Sequence, residues 1–148
     1  MNKISRFLYE NSVDYQSYLI IPFVAYRIDG ENIYSYSLLA EQGYKNNLHL
    51  AMNPAKLYSH HLDNIINIAK EHLESLENIN DNSQNSLYFY QRYIYNNNLI
   101  ILHQQAGKCF YDHYPPHELR NIAAPKLFTS SFECLNWVKQ GLDRAQVN

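Results

Sequence analysis

Two stretches decide how this chain is read: Lys56-Leu-Tyr-Ser-His-His-Leu-Asp-Asn-Ile-Ile-Asn-Ile-Ala-Lys-Glu-His-Leu73, and Lys126-Leu-Phe-Thr-Ser-Ser-Phe-Glu-Cys-Leu-Asn-Trp-Val-Lys-Gln-Gly-Leu142. With Ile66 skipped, Lys56 falls on Lys126, Leu57 on Leu127, Ser59 on Thr129, Asp63 on Glu133, Asn67 on Asn136, Lys70 on Lys139 and Leu73 on Leu142. Leu62, Ile65, Ile66, Ala69, Leu73 and Leu76 recur at the three-and-four spacing of one helical stripe. Phe132, Leu135, Val138, Leu142 and Ala145 do the same. Ser130 and Glu133 stand at the spacing of a capping box. A residue skipped inside a helix turns the face that follows by about 100°. The match therefore fits either a duplication or two unrelated amphipathic helices.

Working outward, each helix follows strand-like sequence. Tyr18 to Ile28 is rich in β-branched and aromatic residues, and Asp29-Gly30-Glu31-Asn32 separates it from Ile33 to Ala40, the pattern of a hairpin. Pro22 lacks an amide donor, which predicts an edge strand or a bulge there. Leu48 to Met52 reads as a short third strand. A second hairpin joins Leu87–Tyr95 to Leu99–Gln105 through Asn96-Asn97-Asn98, because asparagine tolerates positive φ. Ile4, Phe7 and Leu8 give Lys3 to Glu10 the spacing of a short helix. The span from Lys108 to Pro125, broken by Pro115-Pro116, reads as a long irregular connection.

These elements predict one α+β domain over residues 1–148. Its mostly antiparallel sheet carries helices on one face, in the order α-βββ-α-ββ-α, with tandem strand-strand-helix halves at 18–76 and 87–145. The polar residues 77–86 form the linker, and limited proteolysis is expected to cut first between Asn78 and Asn85. The order of elements resembles the layout of type III secretion chaperones. The likeness is one of topology, and a fold does not fix a function.

Composition narrows the functional classes. The 148 residues are 46% hydrophobic, enough for one ordinary core. Twelve basic and fourteen acidic residues are spread along the chain to a formal net charge of −2, so no basic block offers a surface to nucleic acid. The N-terminal sequence lacks the apolar region of an export signal, and the apolar run Leu19–Ala25 is too short to span a bilayer. With two cysteines, Cys109 and Cys134, a disulfide scaffold is not indicated and a reduced, cytoplasmic setting is expected. The fourteen tyrosines suit half-buried strand positions.

Chemistry is thinly represented. Cys109, His113 and His117 have the spacing Cys-x3-His-x3-His, which would suit zinc or an activated thiol on one helical face, but Pro115 and Pro116 exclude a helix across it. His61 and His72 are about three helical turns apart, and His49 and His103 read as hydrogen-bonded strand residues. Glycine-rich phosphate loops, nucleophile elbows and Cys-x-x-Cys pairs are absent. The expectation is a small non-catalytic binding or regulatory module with no cofactor, acting through protein contact as a homodimer. Tyr18 to Ile28 is apolar on both alternations, so helices on one face would leave an apolar face uncovered; the interface would be that uncovered, tyrosine-bearing face, with Tyr88, Tyr90, Tyr93 and Tyr95. The alternatives are a small enzyme or metalloprotein centred on Cys109, His113 and His117, and a structural subunit of a larger assembly.

Overall fold

The computed structural model describes residues 6–40, 49–53, 56–75 and 91–147. It is α+β, with seven strands in two antiparallel sheets and two α-helices among the described residues. The chain divides into two compact units, Met1–Phe89 and Tyr90–Asn148. The expected linker 77–86, with the segment Asn78–Asn85, and the tyrosines Tyr88 and Tyr90 lie outside the described residues.

In the first unit, β1 (Val13–Tyr15), β2 (Tyr18–Ile28), β3 (Glu31–Ala40) and β4 (His49–Met52) pair in chain order, and α1 (Leu62–Ser75) follows. Of the expected N-terminal helix, Lys3 to Ser5 lie outside the described residues, Arg6 to Leu8 are not helical, and a 3-10 turn covers Tyr9–Asn11. Gln16 and Ser17 both have positive φ in the turn between β1 and β2, and Asp29 and Gly30 do so between β2 and β3. Both turns are two residues long, the backbone shape that matches the twist of a tight hairpin. Strand β2 is internal rather than at an edge. The Pro22 carbonyl accepts from Leu8 N at 2.9 Å, on the side away from β3, and the N–H and C=O of a strand residue point to the same side. The donor that proline lacks would thus have faced Leu8, and the β2–β3 ladder is unaffected. A bulge does occur, further on, between Val24 and Tyr26.

The sheet register sets what α1 packs against. Ile20 pairs with Leu38 and Pro22 with Tyr36, so one alternation of β2 and β3 presents Ile20, Leu38 and Tyr36 to Ile65, Ile66, Ala69 and Leu73. The other alternation, Leu19, Ile21, Phe23 and Leu39, is also buried. Phe7 covers part of it, its ring edge-on to Phe23 at 5.3 Å. The sequence expectation of an uncovered apolar face is therefore corrected for these strands.

In the second unit, β5 (Arg92–Tyr95), β6 (Asn98–Gln105) and β7 (Lys108–Tyr114) form a meander, and α2 (Ser131–Val147) follows. The start of the supposed irregular span from Lys108 is thus a strand. It is turned back on β6 by Ala106 and Gly107, both at positive φ, with Gln105 paired to Lys108. Ile100, Leu102, Cys109, Tyr111 and Phe128 pack with Cys134 and Val138 of α2. The sequence stripe is corrected here. Cys134 lies in its centre, whereas Phe132 and Ala145 are exposed. Tyr93 pairs with Ile100 and Tyr95 with Asn98, which puts both tyrosines on the face that carries α2, not on the opposite one.

From β1 and from β5 onward the two units share a three-stranded meander followed by a helix, with β4 as an added strand in the first. Ser59 exchanges backbone hydrogen bonds with Tyr34 at 2.7 and 3.3 Å, and Phe128 does so with Cys109 at 2.8 Å each; each helix begins three residues later. Because Ser59 is held as a strand residue, α1 starts at Leu62 rather than at Ser59. Positions 59, 62, 65, 69 and 73 correspond to 128, 131, 134, 138 and 142 at a constant spacing of 69, and no residue need be skipped. A side-chain clamp recurs as well. The Tyr15 hydroxyl donates to Glu74, with Lys70 Nζ 5.2 Å from the ring centroid. The Tyr95 hydroxyl donates to Asp143 at 2.7 Å, with Lys139 Nζ also 5.2 Å from the ring.

Truncating the buried centre of α1 by Ile65→Ala should cost about 2–5 kcal/mol in urea unfolding. Phe132→Ala, on the exposed side of α2, should change stability by no more than about 0.5 kcal/mol. Equal losses for the two variants would contradict the assigned helix faces.

Candidate functional site

The turn at Ala106-Gly107 fixes which side chains of β6 and β7 meet. Alternation along β7 puts Cys109, Tyr111 and His113 on the α2 face and Phe110, Asp112 and Tyr114 on the other. Cys109 and His113 share a face but are four residues apart along an extended strand, about 13 Å. His117 lies beyond the end of β7 and is exposed. The three residues of the metal or thiol reading are thus not brought together. Among the described residues no group of three or more His, Cys, Asp or Glu side chains is placed to hold a metal ion.

The structure instead assembles a polar group around Asp112, which is buried. His103 Nε2 is 3.1 Å from its Oδ2, Asn121 Nδ2 donates to its Oδ1 at 3.0 Å, and the Tyr114 hydroxyl is 3.5 Å from Oδ2. A carboxyl group removed from water requires such partners. Asn121 does more than cap the carboxylate. Its Oδ1 accepts from His113 N at 2.9 Å and from Ala123 N at 3.1 Å, and Ile122 N donates to the His113 carbonyl at 2.8 Å. The segment after β7 is thereby fastened to the sheet edge. His103 is a strand residue, as expected, and its ring nitrogen faces the Asp112 carboxylate as an ion-pair partner. Its partner Asp112 and the anchor Asn121 were not foreseen; once β7 is recognised, the register from Gly107 sets Asp112 opposite Ile101 and diagonal to His103.

On the α2 face, His113 Nε2 is 2.9 Å from Asn98 Oδ1. Asn98 Nδ2 already donates to the carbonyls of Tyr95 and Asn96, so its oxygen accepts and His113 carries the proton on Nε2. Burial lowers the His113 pKa below its ordinary value and keeps the ring neutral. These contacts anchor β7 and the segment that follows it; they gather no nucleophile, base and orienting group of the kind covalent catalysis needs.

The second feature is apolar and exposed. Phe132 in the first turn of α2, Leu127 just before the helix and Trp137 further along it are 76%, 61% and 39% exposed. Trp137 leans on Phe128 at 5.6 Å and on Tyr111 at 6.2 Å, with Lys126 Nζ 5.6 Å above its ring. Ser130 caps the helix by accepting from Glu133 N at 3.1 Å. Glu133 reaches back to Thr129 N and its hydroxyl rather than to Ser130 N, and these bonds hold its carboxyl below its ordinary range. At the spacing of 69, Phe132 takes the place of Asp63 in α1. Asp63 is an acidic residue of the kind favoured in a first helical turn. Of the expected interface residues, Tyr93 is 37% exposed, while Tyr95 is engaged by Asp143 and Lys139. No helix among the described residues is long and apolar enough to cross a membrane.

No family model, curated protein or solved structure matches this chain.

Removing the anchor by Asn121→Ala leaves several backbone and side-chain groups without partners and should cost about 2–3 kcal/mol in chemical unfolding. The same substitution at exposed Asn136 should cost little. The His113 pKa is lowered in the folded state, so the unfolded chain binds the proton more readily. Stability from this group is fully present above the ordinary value of 6.5 and is lost as pH falls below it. The fall in melting temperature from pH 7 to pH 5.5 should therefore shrink in His113→Asn. An unchanged pH slope would refute the assignment.

Proposed function

We propose that the chain is a non-catalytic binding or regulatory module, built from two copies of one meander-helix unit. In this reading it acts through protein–protein contact, with a second copy of itself as partner. The supporting observation is Phe132. A large aromatic side chain stands in water in the first turn of α2, where the corresponding position of α1 holds Asp63. The first unit serves as an internal control, since the same helix position is compatible with the fold when it is charged. Leu127, just before α2, and Trp137, within it, are also exposed, and aromatic residues are enriched at the centres of interfaces.

Self-association is the favoured mode because two-fold homodimers are the commonest soluble oligomers and the small net charge opposes pairing only weakly. The shared internal plan of the units supports the two-copy reading, through the matching turns, the bridge before each helix, the constant spacing and the repeated Tyr–Lys–acid clamp. Free thiols at Cys109 and Cys134 fit a reduced, cytoplasmic setting.

Sedimentation at tens of micromolar tests the proposal. The wild-type chain should run as a dimer. Phe132→Asp, which installs the residue type of the first unit, should weaken association at least about tenfold with little change in melting temperature. A strictly monomeric wild-type chain would remove the homodimer, and a larger closed assembly would favour a structural subunit instead.

A further inference from the structure

The chain has two cysteines, in different elements, and both pack into one buried cluster between the sheet and α2. Cys109 is tied to Phe128 by both backbone hydrogen bonds, and α2 begins three residues later. Its Sγ is 4.0 Å from the Ser131 hydroxyl. Cys134 is one helical turn on from Ser131, and it packs in the same buried cluster as Cys109. Both are buried and free in this structure. A buried residue touches about 6–12 others, so two cysteines placed at random in this chain would be neighbours roughly one time in twenty. The fold does not demand sulfur there, because the corresponding positions of the first unit are Tyr34 and Ile65.

We propose that Cys109 and Cys134 are an oxidisable dithiol that closes to an intramolecular disulfide between β7 and α2. With a small disulfide oxidant such as oxidised glutathione, the thiolate of one cysteine attacks a glutathione sulfur and expels one glutathione thiolate. The second cysteine, having lost its proton, then attacks the protein sulfur of the mixed disulfide and expels the other. Two electrons pass to the oxidant, two protons leave, and one S–S bond replaces two S–H bonds. Burial, and then the neighbouring Cys109, push the Cys134 thiol up to about 12, so little thiolate is present near neutral pH. The pair is accordingly slow to react. It is a lock that closes under sustained oxidation, not a rapid sensor, and once closed it fastens α2 to the sheet covalently.

The test is equilibration of the full chain with excess oxidised glutathione, followed by mass analysis without reductant. The expected product is a monomer lighter by about 2 Da, with one peptide pair joined through Cys109 and Cys134. Its melting temperature should lie several degrees above that of the reduced chain and return on adding dithiothreitol. Cys134→Ser should give at most a single glutathione adduct. Retention of two alkylatable thiols, two glutathione adducts on one chain, or only disulfides between chains would overturn the proposal.

Discussion

Each unit of this protein depends on one contact, an amphipathic helix laid on one alternation of an antiparallel meander. In the first unit Ile65, Ala69 and Leu73 bury against Ile20, Tyr36 and Leu38; in the second Cys134 and Val138 bury against Ile100, Leu102 and Tyr111. Neither partner is stable without the other. A helix of 14 or 17 residues is marginal alone in water, and a small sheet needs an apolar face covered. The remaining features serve that contact. Two-residue turns set the strand register, a backbone bridge just before each helix aims it, and the Tyr–Lys–acid clamp holds the far part of the helix to the first strand. In both clamps the hydrogen bond to the acid raises the tyrosine pKa, which keeps the hydroxyl a donor.

The differences between the units are as informative as the likenesses. The first holds Asp63 where the second exposes Phe132, and Ile65 where the second places Cys134 in one cluster with Cys109. Two versions of one plan reveal which positions the fold leaves open. The exposed aromatic turn and the dithiol both occupy such positions. The buried Asp112 group differs in kind, since Asn121, bonded to its carboxylate, secures the chain after β7.

How much of this was legible in the sequence follows from where the signals lie. The hairpin at Asp29-Gly30 and the turn at Asn96-Asn97 were readable because their residues accept positive φ cheaply. The turn at Gln16-Ser17 was not, and β1 was missed with it. Ala106 hid half of the signal at Ala106-Gly107, so β7 was read as irregular and the spacing of Cys109, His113 and His117 was judged as a loop. On a strand that spacing separates Cys109 from His113 by about 13 Å. The helices were found, but the skipped residue was an artefact of matching the polar residues before them. Aligning the backbone bridge, which sequence does not display, brings Cys134 rather than Leu135 to the place of Ile65. The facing of Tyr93 and Tyr95 was misjudged for a related reason. Strand periodicity says that two faces exist, whereas only the register with β6 says which one meets α2.

The repeated clamp is the most direct signature of the likeness between the two units. The ammonium groups of Lys70 and Lys139 stand at the same distance over the rings of Tyr15 and Tyr95. Proton NMR of the full chain should therefore show the ε-methylene signals of both lysines shifted upfield by ring current. Tyr15→Leu should abolish the shift at Lys70 alone, and Tyr95→Leu the shift at Lys139 alone. A shift at one lysine without the other, or at neither, would contradict the account.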